Sequence, residues 1–143
     1  FSNVYGPRSK KKTSVVANFF RDAIKTGTIN IFGDGKQTRD FIYVKDLCEG
    51  ISLAINYSKG GQIFQIATQK QTSILNLAKD IKKIIKKDNK NVIKINYKRK
   101  RDGDVLLNYA SIIKAKKELL FNPKINIKKG LDYTYKYYKE LLK

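Results

Sequence analysis

Arginine, carboxylate, amide and aromatic side chains recur in this sequence at spacings suited to holding a phosphorylated ligand. Recognition of a nucleotide diphosphate calls for fixed cations, best supplied by forked guanidinium groups, with further partners for the base and the ribose hydroxyls. Arg39 stands just after the Gly33-Asp34-Gly35 turn and just before an extended run, so a rigid segment holds it. Arg101-Asp102-Gly103-Asp104 sets one cation and two carboxylates in a tight turn, where a carboxylate can accept from a ribose diol while the arginine meets phosphate. Asn30 and Phe32 lie two residues apart on a short predicted strand and therefore on one face, suited to hydrogen-bonding the edge of a flat base and packing on its ring.

Composition narrows what else these residues could do. The chain has 143 residues and a net charge of +19, a value that raises the question of nucleic acid. Of its 31 basic residues, however, 26 are Lys and 5 are Arg, whereas base reading and bidentate phosphate contacts favour arginine. Lys, Asn, Ile and Tyr run high together, the pattern of codon drift in an AT-rich genome, so nucleic acid is disfavoured as a partner. Against that background a retained arginine hints that fork geometry is needed. Arg8, Arg39 and Arg101 fall in motif-like segments, while Arg21 and Arg99 have a plain surface reading. The stretch from Lys79 to Arg101 carries eleven basic residues against two Asp and reads as the solvated face of a helix. With no histidine and the single cysteine Cys48, a zinc site, an imidazole base and an intramolecular disulfide are excluded, and no metal is expected. No apolar run approaches the roughly 20 residues of a membrane span, and a cytoplasmic setting is expected.

The elements that must position these groups follow from periodicity. Phe1 to Val4 reads as the end of a strand and Tyr5 to Lys12 as a loop. Val15, Val16, Phe19, Phe20, Ala23 and Ile24 predict a helix capped by Ser14 and stopped by Gly27. Ile29 to Phe32 and Asp40 to Val44 read as short strands on either side of the glycine turn. Asp46 is placed to cap a helix running to about Asn56, with Leu47, Ile51, Ala54 and Ile55 inward. Ile63 to Ala67 reads as a strand, and Thr72 or Ser73 as the cap of a helix whose stripe is Ile74, Leu77, Ala78, Ile81, Ile84 and Ile85. A strand from Val92 to Tyr97, a loop to Asp104, a helix from Ser111 to Leu120 and a last helix from Ile127 to Leu142 complete an α/β chain of short strands and helices.

Asn3-Val4-Tyr5-Gly6-Pro7-Arg8, the run from Gly33 to Asp46 (Gly-Asp-Gly-Lys-Gln-Thr-Arg-Asp-Phe-Ile-Tyr-Val-Lys-Asp) and the later Arg101-Asp102-Gly103-Asp104 occur in an order that resembles one family. This is the NAD-dependent epimerase/dehydratase family, the extended short-chain dehydrogenases, and the resemblance covers Phe1 to about Tyr138 and is to its carboxy-terminal half. The nearest wording is that of UDP-glucose 4-epimerase-like members. The resemblance implies that residues 1–12 are the last strand and loop of a Rossmann-type NAD-binding domain and that residues 13–143 form the nucleotide-sugar domain. It implies further that Asn3 touches phosphate or sugar, with Phe1 and Val4 beside the nicotinamide. Asn30 and Phe32 would hold the nucleobase, Arg39 and Arg101 the diphosphate and Asp104 the ribose, while Val16 would add a backbone contact.

No catalytic residue is assigned. Tyr135 and Lys139 match the family's Tyr-x-x-x-Lys spacing but follow the substrate motifs, whereas the family's pair precedes the Asn-Val-Tyr-Gly-Pro-Arg loop. Gly33-Asp34-Gly35 begins like a dinucleotide fingerprint, yet it leads into a strand and has Thr38 where the last glycine belongs. The catalytic pair and the glycine-rich loop are therefore expected outside these residues, and the chain alone is expected to be inert. What the resemblance implies for the intact enzyme is NAD-dependent transient oxidation of a UDP-sugar, ending in 4-epimerisation or, in the alternative, in 4,6-dehydration or decarboxylation, with homodimerisation common in the family. A reading of another class is a basic, non-enzymatic nucleotide- or RNA-binding module.

Overall fold

The structure is a computed structural model that describes residues 1–88 and 92–142. Along these residues run β1 (Asn3–Tyr5), α1 (Val15–Thr26), β2 (Thr28–Phe32), β3 (Thr38–Arg39), β4 (Phe41–Tyr43) and α2 (Val44–Ile55). They are followed by β5 (Thr72–Ser73), α3 (Ile74–Asp88), β6 (Lys94–Lys98), β7 (Leu107–Asn108), α4 (Ile113–Leu119) and α5 (Ile127–Leu141).

The helices form where apolar spacing and stop signals coincide. In α1 the residues Val16, Ala17, Phe19, Phe20 and Ala23 are buried, and Gly27 ends the helix in the left-handed region at φ 66° with its N–H donating to the Ala23 carbonyl. Ser14 occupies the N-cap position, but its side chain makes no capping bond. The choice left open at α3 falls to Ser73, whose Oγ accepts from Asn76 N at 3.1 Å. Ile74, Leu77, Ala78, Ile81 and Ile85 are buried along that helix, with Ile84 half-buried. In α5 the Asn126 side chain accepts from Lys129 N, and Leu131, Tyr135 and Tyr138 turn inward. Phe20 stacks on Tyr135 and Tyr138 at centroid distances of 6.1 and 5.8 Å, which locks α1 to α5.

Strand pairing is mostly parallel, as expected where helical crossovers separate neighbours. β1 pairs with β4, and β2 pairs in register with β6 from Thr28 opposite Lys94 to Phe32 opposite Lys98. On β2 the alternation is clean: Ile29 and Ile31 enter the core, and Thr28, Asn30 and Phe32 share the other face. A three-stranded sheet orders β5, β3 and β7, antiparallel on one side of β3 and parallel on the other. The larger core joins α1, α3, α5 and β2, and a second gathers Ile42, Leu47, Ile66, Ala67, Ile112, Ala115, Leu119 and Phe121. Tyr5 ties β1 to α5: its ring sits so close over Gly130 that a Cβ there would collide with the ring and hydroxyl. Burial, with the nearby Asp46 carboxylate second, raises the Tyr5 hydroxyl's pKa.

Several expectations give way. Ile63 to Ala67 is not a strand; Ile63 is 81% exposed, while Ile66 and Ala67 are buried in an irregular run whose Ile66 carbonyl accepts from Ser2 N. Asp46 does not cap α2, because the helix begins at Val44 and Asp46 lies in its first turn; its Oδ2 instead accepts from Ile125 N at 2.9 Å. Ile55 faces solvent, and α4 is shorter than expected: it begins at Ile113 and not Ser111, and it ends at Leu119 because Leu120 adopts a left-handed conformation at φ 55°. The strand expected from Val92 begins at Lys94, and within the basic run residues 89–91 lie outside the described residues. Among the described residues no helix is long and apolar enough to cross a membrane, and no cluster of His, Cys, Asp or Glu could hold a metal ion.

Asp40, fully buried, joins the sheets. Its carboxylate accepts from Thr68 N at 3.0 Å, Thr68 Oγ1 at 2.6 Å and Gln69 N at 2.8 Å. Replacing Asp40 by Ala leaves Thr68 N, Thr68 Oγ1 and Gln69 N without their acceptor, so the Asp40→Ala protein is expected to lose about 2 to 3 kcal/mol in urea unfolding. A loss under about 1 kcal/mol would contradict this role. Tyr135 offers a pH test. Burial first, and its bond to Asp88 Oδ2 at 2.8 Å second, push its hydroxyl from 10.0 up to about 12. The folded state thus holds this proton more tightly than the unfolded chain, so the contribution is full below pH 10 and lost as pH rises to about 12. The alkaline fall in melting temperature across that window is expected to be shallower in Tyr135→Phe, and an identical fall would contradict the assignment.

Candidate functional site

A cleft of about 730 Å³ opens between β1, the start of α1, the outward face of β2 and the loop after β6. Of the nine residues singled out above, Asn3, Asn30, Phe32, Arg39, Arg101 and Asp104 line it. Val16 does not: its side chain is 2% exposed in the core, and Val15 lines the cleft beside it. Phe1 and Val4 do not line it either; Phe1 is 73% exposed, and Val4 packs half-buried against the second core.

The glycine turn sets the site's geometry. Gly35 takes φ 75°, which strains any residue with a side chain, and a Cβ would stand tightly, 3.0 Å from Leu75 Cβ and 3.2 Å from Ile31 Cγ2. Its carbonyl accepts from Leu75 N at 2.9 Å, which docks the turn on the start of α3. Lys36 N donates to Asp34 Oδ1 within the turn, and that bond, more than any other effect, holds the Asp34 carboxyl below its ordinary pKa. The chain thereby enters β3 with Gln37 and Arg39 two residues apart.

Arg39 is a clamped cation. Its Nη1 donates to the Thr38 carbonyl at 2.8 Å and the Val105 carbonyl at 2.5 Å, and its Nη2 pairs with Asp104 Oδ1 at 2.5 Å. Both side chains of the pair are mostly shielded, at 17% and 20% exposed. Three of the five guanidinium N–H groups are thus engaged by partners among the described residues. Asp104 Oδ2 accepts from Gln37 Nε2 at 3.2 Å, and the same nitrogen donates to the Phe32 carbonyl at 2.8 Å. Gln37, 8% exposed, therefore bridges the end of β2 to the ion pair. The expectation had overlooked it, although its period-two spacing from Arg39 was an available signal.

Arg101 is placed differently from Arg39. It is solvent-exposed, and its guanidinium carbon lies 3.9 Å from the centroid of the Phe32 ring. Asn3 is oriented by its Nδ2, which donates to the Asp40 carbonyl at 3.2 Å. Asn18, Lys98 and Arg99 also line the cleft and had not been singled out as ligand contacts. Tyr135 and Lys139 lie elsewhere, both bonded to Asp88, the lysine at 2.7 Å. The basic run borders a separate groove of about 520 Å³ in which Asp80 and Asp132 stand among Lys83, Lys86, Lys87 and Lys128, so its charge is mixed.

The cleft can therefore hold an anionic, flat-ended ligand, with guanidinium groups near its middle and an aromatic platform beside them. Comparison with known proteins points the same way. The family described as GDP-mannose 4,6 dehydratase matches residues 1–134. A putative UDP-glucose 4-epimerase of Methanocaldococcus jannaschii is 36% identical over 92% of this chain and 41% of its own length. UDP-glucuronic acid decarboxylase 1 of Arabidopsis thaliana is 35% identical over 90% of this chain and 29% of its own. The crystal structure of UDP-glucuronic acid 4-epimerase from Bacillus cereus, in complex with UDP-glucuronic acid and NAD, superposes with a TM-score of 0.84 at 30% identity, covering 98% of this chain and 44% of that one. The chain thus spans less than half the length of these relatives. With a family match over nearly all its residues and the same α/β architecture, the chain belongs to the NAD-dependent epimerase/dehydratase family, the extended short-chain dehydrogenases.

Proposed function

We propose that this chain is the carboxy-terminal, nucleotide-sugar-binding portion of an NAD-dependent enzyme acting on a UDP-sugar in the manner of a UDP-glucose 4-epimerase. The observation that carries this reading is one cleft in which a preorganised guanidinium fork, a second guanidinium, a shielded carboxylate and an aromatic ring converge from separate segments. Arg39 and Arg101 take the diphosphate, Asp104 a ribose hydroxyl, and Asn30 with Phe32 the base. Asn3 meets the phosphate or sugar, and Val16 contributes through its backbone at the start of α1. Residues 1–12 belong on this reading to the cofactor domain and residues 13–143 to the nucleotide-sugar domain.

The chemistry that bound NAD would supply is reversible hydride transfer with carbon 4 of the sugar. On this reading Phe1, an exposed ring, and Val4, half-buried on the second core, stand near the nicotinamide, outside the cleft's own lining. The residues of this chain act by holding: affinity gained at the nucleotide, remote from the reacting carbon, fixes the sugar ring in place. Tyr135 and Lys139, bonded to Asp88, have no part in that step. The enzyme is cytoplasmic on this reading. Dehydratases and decarboxylases of the family can share the clamp, and the Arabidopsis relative is named a decarboxylase.

Calorimetry with UDP-glucose tests the clamp. Arg39→Ala and Arg101→Ala are each expected to weaken binding by about 1.5 to 3 kcal/mol, the scale of a hydrogen bond to a charged group. Unchanged affinity in both variants would refute the assignment. Incubating the enzyme that carries this chain with UDP-glucose and NAD is expected to yield UDP-galactose. A dehydrated product from UDP-glucose, or decarboxylation of UDP-glucuronic acid without epimerisation, would move the protein to the alternative reading. Salt-sensitive binding of an unrelated oligonucleotide with no response to UDP would instead indicate a basic binding module.

A further inference from the structure

Of the three arginines that line the cleft, Arg39 and Arg101 are held in opposite ways. Arg39 is fixed by three bonds, and Asp104, its partner, is fixed in turn by Gln37. Arg101, three residues before Asp104, leans on the Phe32 ring at 3.9 Å. Its backbone is tethered by the turn in which Asp104 N donates to the Arg101 carbonyl and Gly103 takes φ 73°. Movement of Arg101 is thus confined largely to its side chain, a long, exposed chain with several rotatable bonds.

Both Arg101 and Phe32 line the cleft, and 3.9 Å is one stacking layer, so a base cannot occupy the ring face that the guanidinium covers. A phosphorylated ligand offers the guanidinium a charge-assisted partner in exchange for the ring. A nucleoside without phosphate offers it only neutral acceptors, which make weaker bonds. Resting on the nucleotide-sugar reading above, we propose that Arg101 is a specificity-determining residue: it covers the Phe32 platform and yields it to ligands that carry a phosphate to receive the guanidinium. The same side chain that attracts nucleoside diphosphates excludes bare nucleosides from the cleft.

This predicts effects of opposite sign from one substitution. In titrations of the protein and of Arg101→Ala with uridine and with UDP, followed by NMR for uridine and calorimetry for UDP, the variant is expected to bind UDP at least about tenfold more weakly. It is expected to bind uridine about two- to fivefold more tightly, the factor released when a solvent-exposed cation–π contact no longer competes. In Phe32→Leu, which removes the platform, adding Arg101→Ala is expected to leave uridine affinity unchanged. Uridine affinity that is unchanged or lower in Arg101→Ala, alongside weakened UDP binding, would overturn the covering role while leaving the clamp intact. Failure of the unmodified protein to bind UDP would overturn the nucleotide-sugar reading itself.

Discussion

The buried carboxylate of Asp40 is the constraint on which the rest of the structure depends. A charge removed from water in this way is tolerated only when hydrogen bonds satisfy it, and here Thr68 and Gln69 supply them. Its backbone is committed as well: the carbonyl accepts from Asn3 N at 2.9 Å and the N–H donates to the Asn108 carbonyl at 2.9 Å. Four segments far apart in sequence therefore meet at one residue. β1 is drawn against β4 and β7 against β3, and Gln69 is turned into the left-handed region at φ 59°.

Arg39 follows from this anchoring. It precedes Asp40, and β3 lies between β5 and β7, so its guanidinium is delivered to the Val105 carbonyl and Asp104 with little freedom left. Loss of side-chain entropy is one of the main costs of binding a charged ligand through a long cation, and here folding has already met it. Gln37 extends the same rigid network to the Phe32 carbonyl, so the ion pair and the platform share one frame. Arg101 stands outside that frame. The cleft thus combines a cation bonded at both terminal nitrogens with one stacked on an aromatic ring.

What could be read from the sequence divides along physical lines. Helices α1, α3 and α5 were legible because their periodicity is local, and the stop at Gly27 was too, whereas the choice between Thr72 and Ser73 as cap was settled only by the bond from Asn76 N to Ser73 Oγ. The two-residue strands β3, β5 and β7 were not, since they exist only through pairing between distant segments. Ile63 to Ala67 misled because its apolar residues promised a strand, whereas burial is confined mainly to Ile66 and Ala67 and the run adds to no ladder. Asp46 misled because a carboxylate near a helix start usually caps it; Ile125 N, remote in sequence, claimed it instead. In the cleft, the two-residue spacing of Asn30 and Phe32 was visible in the strand pattern. The stacking of Arg101 on Phe32 was not, because it depends on how the loop after β6 folds back over β2.

The arginines show how selection can be discerned against codon drift. Among the described residues, the ion pairs of Lys36 with Asp34 and Lys124 with Glu49 are single and largely exposed, and pairs of that kind contribute little to stability. Arg39 uses both of its terminal nitrogens, and Arg101 uses its flat face. Arg21, whose sequence position suggested nothing beyond surface, belongs with them: it donates to the Lys10 carbonyl at 2.7 Å, the Lys12 carbonyl at 3.1 Å and the Asn18 side chain. An ammonium is a compact point charge without a rigid planar fork, so it has no flat face to lay on an aromatic ring and no two nitrogens to share between carbonyls. Arg21 therefore fastens the loop after β1 to α1 at a position beside the cleft, where Thr13, Ser14 and Asn18 form part of the wall. In a chain that uses lysine wherever a positive charge suffices, these three arginines stand where the geometry of the guanidinium is what the structure uses.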